Sequence, residues 1–331
     1  MTAEPAFEPP AREPSRFSLR ATMRPDVLRD YGIVFFLIAL FIAMSLASDV
    51  FLTSSNLRNI IDGAVPLGML ACAGTLVIIA GGFDLSAGAI FGVAAVVGAK
   101  ICNSTGPEVA LVAGVLTGAG LGLVNGILCT VGRINAFVGT LGTSIGYGGL
   151  AVALSGSGIV LISNESFGNL SATNLLGIKS STIIFLVTAA ICAFVLNRTV
   201  LGRHIFGTGG NPLAARLSGV PVNKTLAITY VISGAFAALA GMIVASRTLS
   251  VTGNTGTTII FDALAAILIG GNSVLGGEGA IWRTMVGVLI LSIISNGFNL
   301  LGIDPLYQQC VNGAIILVAV GADAWARRTT T

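Results

Sequence analysis

From Ile60 to Ala99 the only side chains charged at neutral pH are Asp62 and Asp84. A helix rises about 1.5 Å per residue and the hydrocarbon core of a bilayer is about 30 Å thick, so an apolar run of about 18 residues or more reads as a membrane helix. Further runs of this kind surround Ile33–Ser48, Ser180–Asn197 and Thr284–Ile303. Charged residues make up 9% of the chain, against about 25% in soluble domains. A soluble fold is excluded. The pattern predicts an all-α polytopic membrane protein. Its 44 glycines in 331 residues suit helices that pack closely or break inside the membrane.

Hydropathy places about ten spans, at 32–48, 60–80, 85–101, 108–131, 135–160, 181–198, 223–245, 259–275, 284–302 and 308–326. Residues 1–30 hold five Arg, five acids and five Pro; they read as a disordered cytoplasmic tail, not a signal peptide. The domain plan is therefore a tail at 1–30, a transmembrane domain at 31–326 with a cytoplasmic loop at 199–222, and a second tail at 327–331. With the N-terminus inside, 13 of the 17 Lys and Arg residues fall on the cytoplasmic side; Arg58, Lys100, Lys179 and Arg247 fall outside. That bias obeys the positive-inside rule and places both termini in the cytoplasm. The segment 259–275 is the exception to a clean ten. It runs into "GGNSVLGGEGA" and reads as broken or re-entrant.

Two smaller patterns bear on packing. Gly114, Gly118, Gly122 and Gly126 repeat every four residues and form a ridge on one helix face, which lets a neighbouring backbone approach. "AGGFDLSAGAI" (80–90) and "IGGNSVLGGEGAI" (269–281) echo one another, as internal repeats do in transporters.

Enzyme motifs are absent: there is no Walker A loop, GxSxG or HExxH, and His204 is the lone histidine. The five cysteines lie far apart without metal spacing. The chain is expected to have no catalytic residues, no metal and no cofactor, so any ATP hydrolysis belongs to a partner. Asp84 is costly at membrane depth unless it has a task; after Gly81-Gly82, it or Ser86 is placed to cap the third span. In the loop 201–225, Gly209-Gly210-Asn211-Pro212 reads as a turn, followed by a short helix "LAARLSG" that Gly219 and Pro221 end.

Four stretches, "GGFDLSAGAI", "NAFVGTLGTSIGYGGLAVALSG", "GRHIFGTGGNPLAARLSGV" and "DALAAILIGGNSVLGGEG", resemble the membrane permeases of bacterial ABC importers for monosaccharides such as ribose, xylose, arabinose and galactose. The resemblance spans roughly residues 30–325. It implies the type II, vitamin-B12-importer-like fold in the inner membrane. Its implied partners are a second permease subunit, a cytoplasmic ATPase that binds ATP, and a periplasmic sugar-binding protein, with no nucleic acid. The short helix would be the coupling helix that docks on the ATPase, with Gly209, Gly210, Asn211, Ala214, Ala215, Arg216, Leu217, Ser218 and Gly219 at that interface. Small Ala214 and Ala215 allow close docking, and Arg216 offers a charge.

A sugar pathway needs weak contacts from hydroxyls, amides and rings. Asp84, Asn125, Asn135, Phe137, Thr140, Thr143, Asn296, Phe298 and Asn299 are the candidates, with Phe137 and Phe298 as possible gates. The outer loops 164–179 and 247–257 would receive the binding protein through Glu165, Lys179 and Arg247. The rival reading is an ion-coupled secondary transporter working alone; the small supply of acids in the spans (Asp62, Asp84 and Asp262) argues against it. A membrane scaffold that merely tethers an ATPase is the other.

Overall fold

The computed structural model describes residues 25–175, 177–304, 306–314, 317 and 321. Twelve helices follow one another among the described residues: α1 (Pro25–Ala47), α2 (Ser54–Ile79), α3 (Ala87–Thr105), α4 (Pro107–Thr130), α5 (Ala136–Ser155), α6 (Asn169–Ala172), α7 (Ser180–Arg198), α8 (Val200–Gly210), α9 (Pro212–Leu217), α10 (Val222–Thr248), α11 (Ile259–Ile269) and α12 (Ile281–Leu300). Residues 306–314 are also helical. Two short ribbons close loops: β1 (Ile159–Leu161) pairs with β4 (Ser250–Thr252), and β2 (Asn174–Leu175) with β3 (Ile178–Lys179).

Among the described residues, seven helices are long and apolar enough to cross a membrane: α2, α3, α4, α5, α7, α10 and α12. The fold is that of a helical, multi-pass membrane protein. The described part of α1 runs from Pro25, so residues 25–30 of the stretch expected to be a disordered tail are helical. Residues 1–24, much of the last expected span (308–326) and the tail 327–331 lie outside the described residues.

The segment 259–275, expected to be broken or re-entrant, holds only a half-length helix. α11 has 11 residues, about 16 Å of helix, half of what a crossing needs. It stops because Gly271 takes φ +75°, a left-handed conformation that a side chain resists. The Gly271 N–H bonds Leu268 O at 2.8 Å and the Asn272 N–H bonds Ile267 O at 3.3 Å. α2 stops in the same way. Gly81 takes φ +79°, its N–H bonds Ile78 O at 2.9 Å, and the Gly82 N–H bonds Val77 O at 2.9 Å. Both ends are Schellman caps. The two echoing sequences therefore build one device twice, a helix stopped at a glycine and restarted after a polar loop.

α10 is the central helix, packed on α2, α3 and α4. The glycine ridge of α4 faces it. A β-carbon at Gly118 would lie 2.3 Å from Gly234 O, and one at Gly122 would lie 2.3 Å from Tyr230 O. The ridge is thus a packing seam in which backbone touches backbone. At one end of the bundle Lys179 Nζ pairs with the Asp62 carboxylate, and Arg247 Nη2 donates to Asp62 O at 3.2 Å. At the other end the stops of α2 and α11 meet α8.

Candidate functional site

At the α8 end, a small helix is held clear of the bundle. Asn211 caps α9: its Oδ1 accepts from Leu213 N at 3.1 Å and Ala214 N at 2.9 Å. Pro212 occupies the first turn, where it is pre-set for helix. The helix ends at Gly219, φ +82°, with Val220 N donating to Ala215 O at 2.9 Å. Ala215 is buried and seats the helix; Leu213 and Leu217 are 69% and 83% exposed. Four residues apart, they share one face. Arg216 Nη2 donates to Asn223 Oδ1 at 3.1 Å, which ties α9 to the first turn of α10.

Gly209 and Gly210 are not the expected turn. They are the last residues of α8, and the backbone of α2 lies against them. A β-carbon at Gly209 would sit 1.8 Å from Ile79 O, and one at Gly277 would sit 2.6 Å from Gly210 Cα. The Gly277 N–H also donates to Ile79 O at 2.9 Å. The base of α9 is therefore in backbone contact with the end of α2 and with the loop that follows α11.

Asp84 is the centre of a second cluster. Its Oδ1 accepts from Ser86 N at 3.1 Å and Ser86 Oγ at 2.7 Å, and its Oδ2 accepts from Ser233 Oγ at 2.8 Å. Asn125 Nδ2 donates to Ser86 Oγ. Thr140 Oγ1 accepts from Leu85 N at 3.2 Å and is within 3.1 Å of Phe83 O. Asp84, Asn125 and Thr140 are all buried. The carboxylate holds the start of α3 to α10, and Asn125 joins α4 to the same point. Nearby, Asn135 caps α5 through Phe137 N and Val138 N, and Thr143 Oγ1 donates to Thr140 O at 3.2 Å. The Phe137 ring lies 5.6 Å from that of Phe83. These six candidates share one region.

Asn296 and Asn299 lie elsewhere. They line a cleft of about 410 Å³ at the Asp62 end, between α2, α11, α12 and residues 306–314. Among the described residues its wall carries six carboxamides: Asn56, Asn59, Asn296, Asn299, Gln308 and Asn312. Ser292 and Ser295 add hydroxyls, and Asp262 a carboxylate. The cleft follows α2 from Asn56 to Leu67, about 16 Å at helical rise, so it reaches about halfway through a 30 Å core. Phe298 is half-buried on α12 and does not line it. The expected pathway residues thus divide between a buried cluster and an open cleft.

Residues 56–320 match the family described as "Branched-chain amino acid transport system / permease component". The chain belongs to this family. It is similar to the ribose import permease protein RbsC of Escherichia coli K12, 36% identical over 87% of this chain and 92% of that one. The D-allose transport system permease protein AlsC of the same strain is 34% identical over 88% and 91%. The L-arabinose ABC transporter permease protein AraH of Azospirillum brasilense is 32% identical over 97% of each. The solved structure of PsaBC from Streptococcus pneumoniae in complex with Fab aligns with 86% of this chain and 93% of that one at a TM-score of 0.45 and 19% identity, too distant a likeness to decide anything.

Several residues of this permease that shape the two regions escaped the sequence reading. Leu213 carried a signal, its spacing of four from Leu217. Ser233, Asn56, Asn59 and Asn312 carried none, because single polar residues in apolar helices do not announce which neighbour they meet.

Proposed function

We propose that this chain is the membrane permease subunit of an ABC-type importer for a monosaccharide, working in a bacterial inner membrane. The observation that carries the reading is α9: a short capped helix, seated by Ala215, that holds Leu213 and Leu217 outward. An exposed apolar pair on a rigid helix is a fit for a groove in a partner. The positive-inside bias supports placing this end, and both termini, in the cytoplasm. A separate ATPase docks there, binds the ATP and is pushed or released through Gly209, Gly210, Asn211, Ala214, Ala215, Arg216, Leu217, Ser218 and Gly219. The chain itself binds no cofactor. The Asp62 end then faces the periplasm, where a sugar-binding protein docks near Lys179 and Arg247.

The family description names branched-chain amino acids, whereas the relatives are named for ribose, D-allose and L-arabinose. The cleft favours the sugar. Its wall of carboxamides and hydroxyls offers a polyol donors and acceptors that a branched aliphatic side chain cannot use. A second permease subunit completes the pathway. α5 supports this, since Gly142, Gly146 and Gly149 have nothing within 4 Å of a β-carbon, a bare face that suits close approach of another helix.

The test is uptake by cells carrying the chain with its ATPase and binding protein, offered radiolabelled D-ribose, D-allose, L-arabinose and L-leucine. Uptake of a sugar and not of leucine is expected. Leucine uptake alone would overturn the substrate class.

A further inference from the structure

A second hollow, of about 230 Å³, opens at the start of α7 beside the Lys179–Asp62 pair. Its wall holds two cations, Lys179 and Arg247, one carboxylate, Asp62, and the hydroxyls of Ser171, Ser181 and Ser246. Some of these groups are already engaged. Lys179 neutralises Asp62, and Ser246 Oγ lies 2.7 Å from Phe167 O and 3.0 Å from Ser171 Oγ. Three sets of donors are left over. Arg247 turns Nη1 and Nη2 to Asp62 O, at 3.5 and 3.2 Å, and keeps the rest of its five N–H donors. α7 starts without a side-chain cap, so the N–H groups of its first turn find no carbonyl inside the helix. Ser180 N reaches Thr173 O at 2.8 Å; the N–H groups of Ser181 and Thr182 stay open. Ser181 itself is 6% exposed, and among the described residues its hydroxyl has no hydrogen-bond partner. That oxygen is not sealed in the protein, since Ser181 lines the hollow.

Open donors at a helix N-terminus, with two cations set against one carboxylate, call for an anion of one negative charge. The hollow is smaller than the roughly 300–1,000 Å³ usual for a whole small-molecule ligand, so it takes a group and not a substrate. Depth in the membrane decides which group. Ser180 opens the apolar helix α7, and Arg247 lies in the last turn of α10. The hollow is therefore level with the ends of two spans, where lipid phosphates lie. Arg58 stands one turn from Asp62 on α2 and adds a cation on the same face. Ile61 and Ile178, next to Asp62 and Lys179 in sequence, are 43% and 46% exposed, which sets apolar surface beside the charges. Basic pockets between membrane helices are a recurring headgroup site. We propose that this hollow holds the phosphate of an anionic phospholipid, with Ser181 Oγ, the α7 N-terminus and Arg247 as its donors. The lipid would tie α7 to α10. Lys179, whose side chain is 45% exposed, keeps an outer face for a docking protein. The proposal does not depend on what the chain transports.

The experiment uses the full chain, purified in mild detergent and supplied with phosphatidylglycerol, phosphatidylcholine or inorganic phosphate. It reads the thermal midpoint, and native mass spectrometry counts the lipid retained. A ligand that binds the folded state raises the midpoint, and a shift of about 4 °C or more is expected with phosphatidylglycerol. Phosphatidylcholine and inorganic phosphate should leave it within about 1 °C of its starting value. Ser181→Ala removes a hydroxyl that bonds nothing else, so it should fold normally and lose at least half of the phosphatidylglycerol shift. Ser181→Asp places a carboxylate in the hollow and in the first turn of α7, where it is favourable. That variant should melt higher without lipid and gain nothing from phosphatidylglycerol. Equal shifts with the two lipids overturn the proposal, as does a shift that inorganic phosphate alone reproduces. A wild-type response in both variants overturns it too. If those variants then bind the periplasmic protein more weakly, the hollow receives a carboxylate of that protein instead.

Discussion

Gly209 lies so close to the end of α2 that a β-carbon on it would sit 1.8 Å from the Ile79 carbonyl oxygen. That contact joins the helix bearing α9 to the first of the two glycine-stopped helices, and the Gly277 N–H bonds the same oxygen. A displacement of α9 therefore acts directly on the ends of α2 and of the loop after α11.

Gly209→Ala is expected to force α8 away from α2. The clash is with backbone, which cannot rotate aside, and overpacking of this kind costs about 1–3 kcal/mol. The expected result is a lower thermal midpoint of the detergent-solubilised protein, together with uptake reduced at least tenfold.

The α4 ridge gives an internally controlled comparison. A β-carbon at Gly122 meets Tyr230 O at 2.3 Å, whereas one at Gly120 meets nothing within 4 Å. Gly122→Ala should destabilise by about 1–3 kcal/mol. Gly120→Ala should be neutral or gain a few tenths to about 1 kcal/mol from helix propensity. Equal melting of the two variants would remove the close α4–α10 seam.

Asp84 accepts three hydrogen bonds from Ser86 and Ser233. Asp84→Ala leaves those donors buried and unpaired, at about 1–3 kcal/mol for each unsatisfied group. Asp84→Asn keeps one acceptor and should fall between. The order wild type, Asn, Ala in thermal stability is the expected outcome. A carboxylate needed chiefly for sugar contact would instead leave both variants stable and impair uptake alone.

What could be read from the sequence was local chemistry. The Asn-Pro cap and the glycine stop of α9 act within a few residues, and the four-residue glycine spacing of α4 is a property of one helix. Non-local relationships were hidden. Ser233 is far from Asp84 in sequence, and Asn56 is far from its amide partner Asn296. In sequence α8 reads as loop because "GRHIFGTGG" is polar and glycine-rich; Ile205 is wholly buried, and tertiary packing outweighs that weak propensity. The half-length of α11 was only half legible. Its Gly-Gly also ends a full-length helix at α2, so the motif fixes where a helix stops and not where it began.

Leu213→Asp with Leu217→Asp places two charges on the outward face of α9, where neither side chain is buried. The variant should fold with an unchanged thermal midpoint and lose its ATPase on affinity purification from mild detergent. Retention of the ATPase would show that docking lies elsewhere.

The central claim is that ATP hydrolysis on a partner moves substrate through this chain. Sugar uptake into proteoliposomes tests it most directly, comparing transporter built with active ATPase against transporter built with a hydrolysis-dead ATPase. The account predicts uptake with the first and none above background with the second. Undiminished uptake with the dead ATPase, collapsing when the sodium or proton gradient is removed, would contradict it and make the chain an ion-coupled transporter.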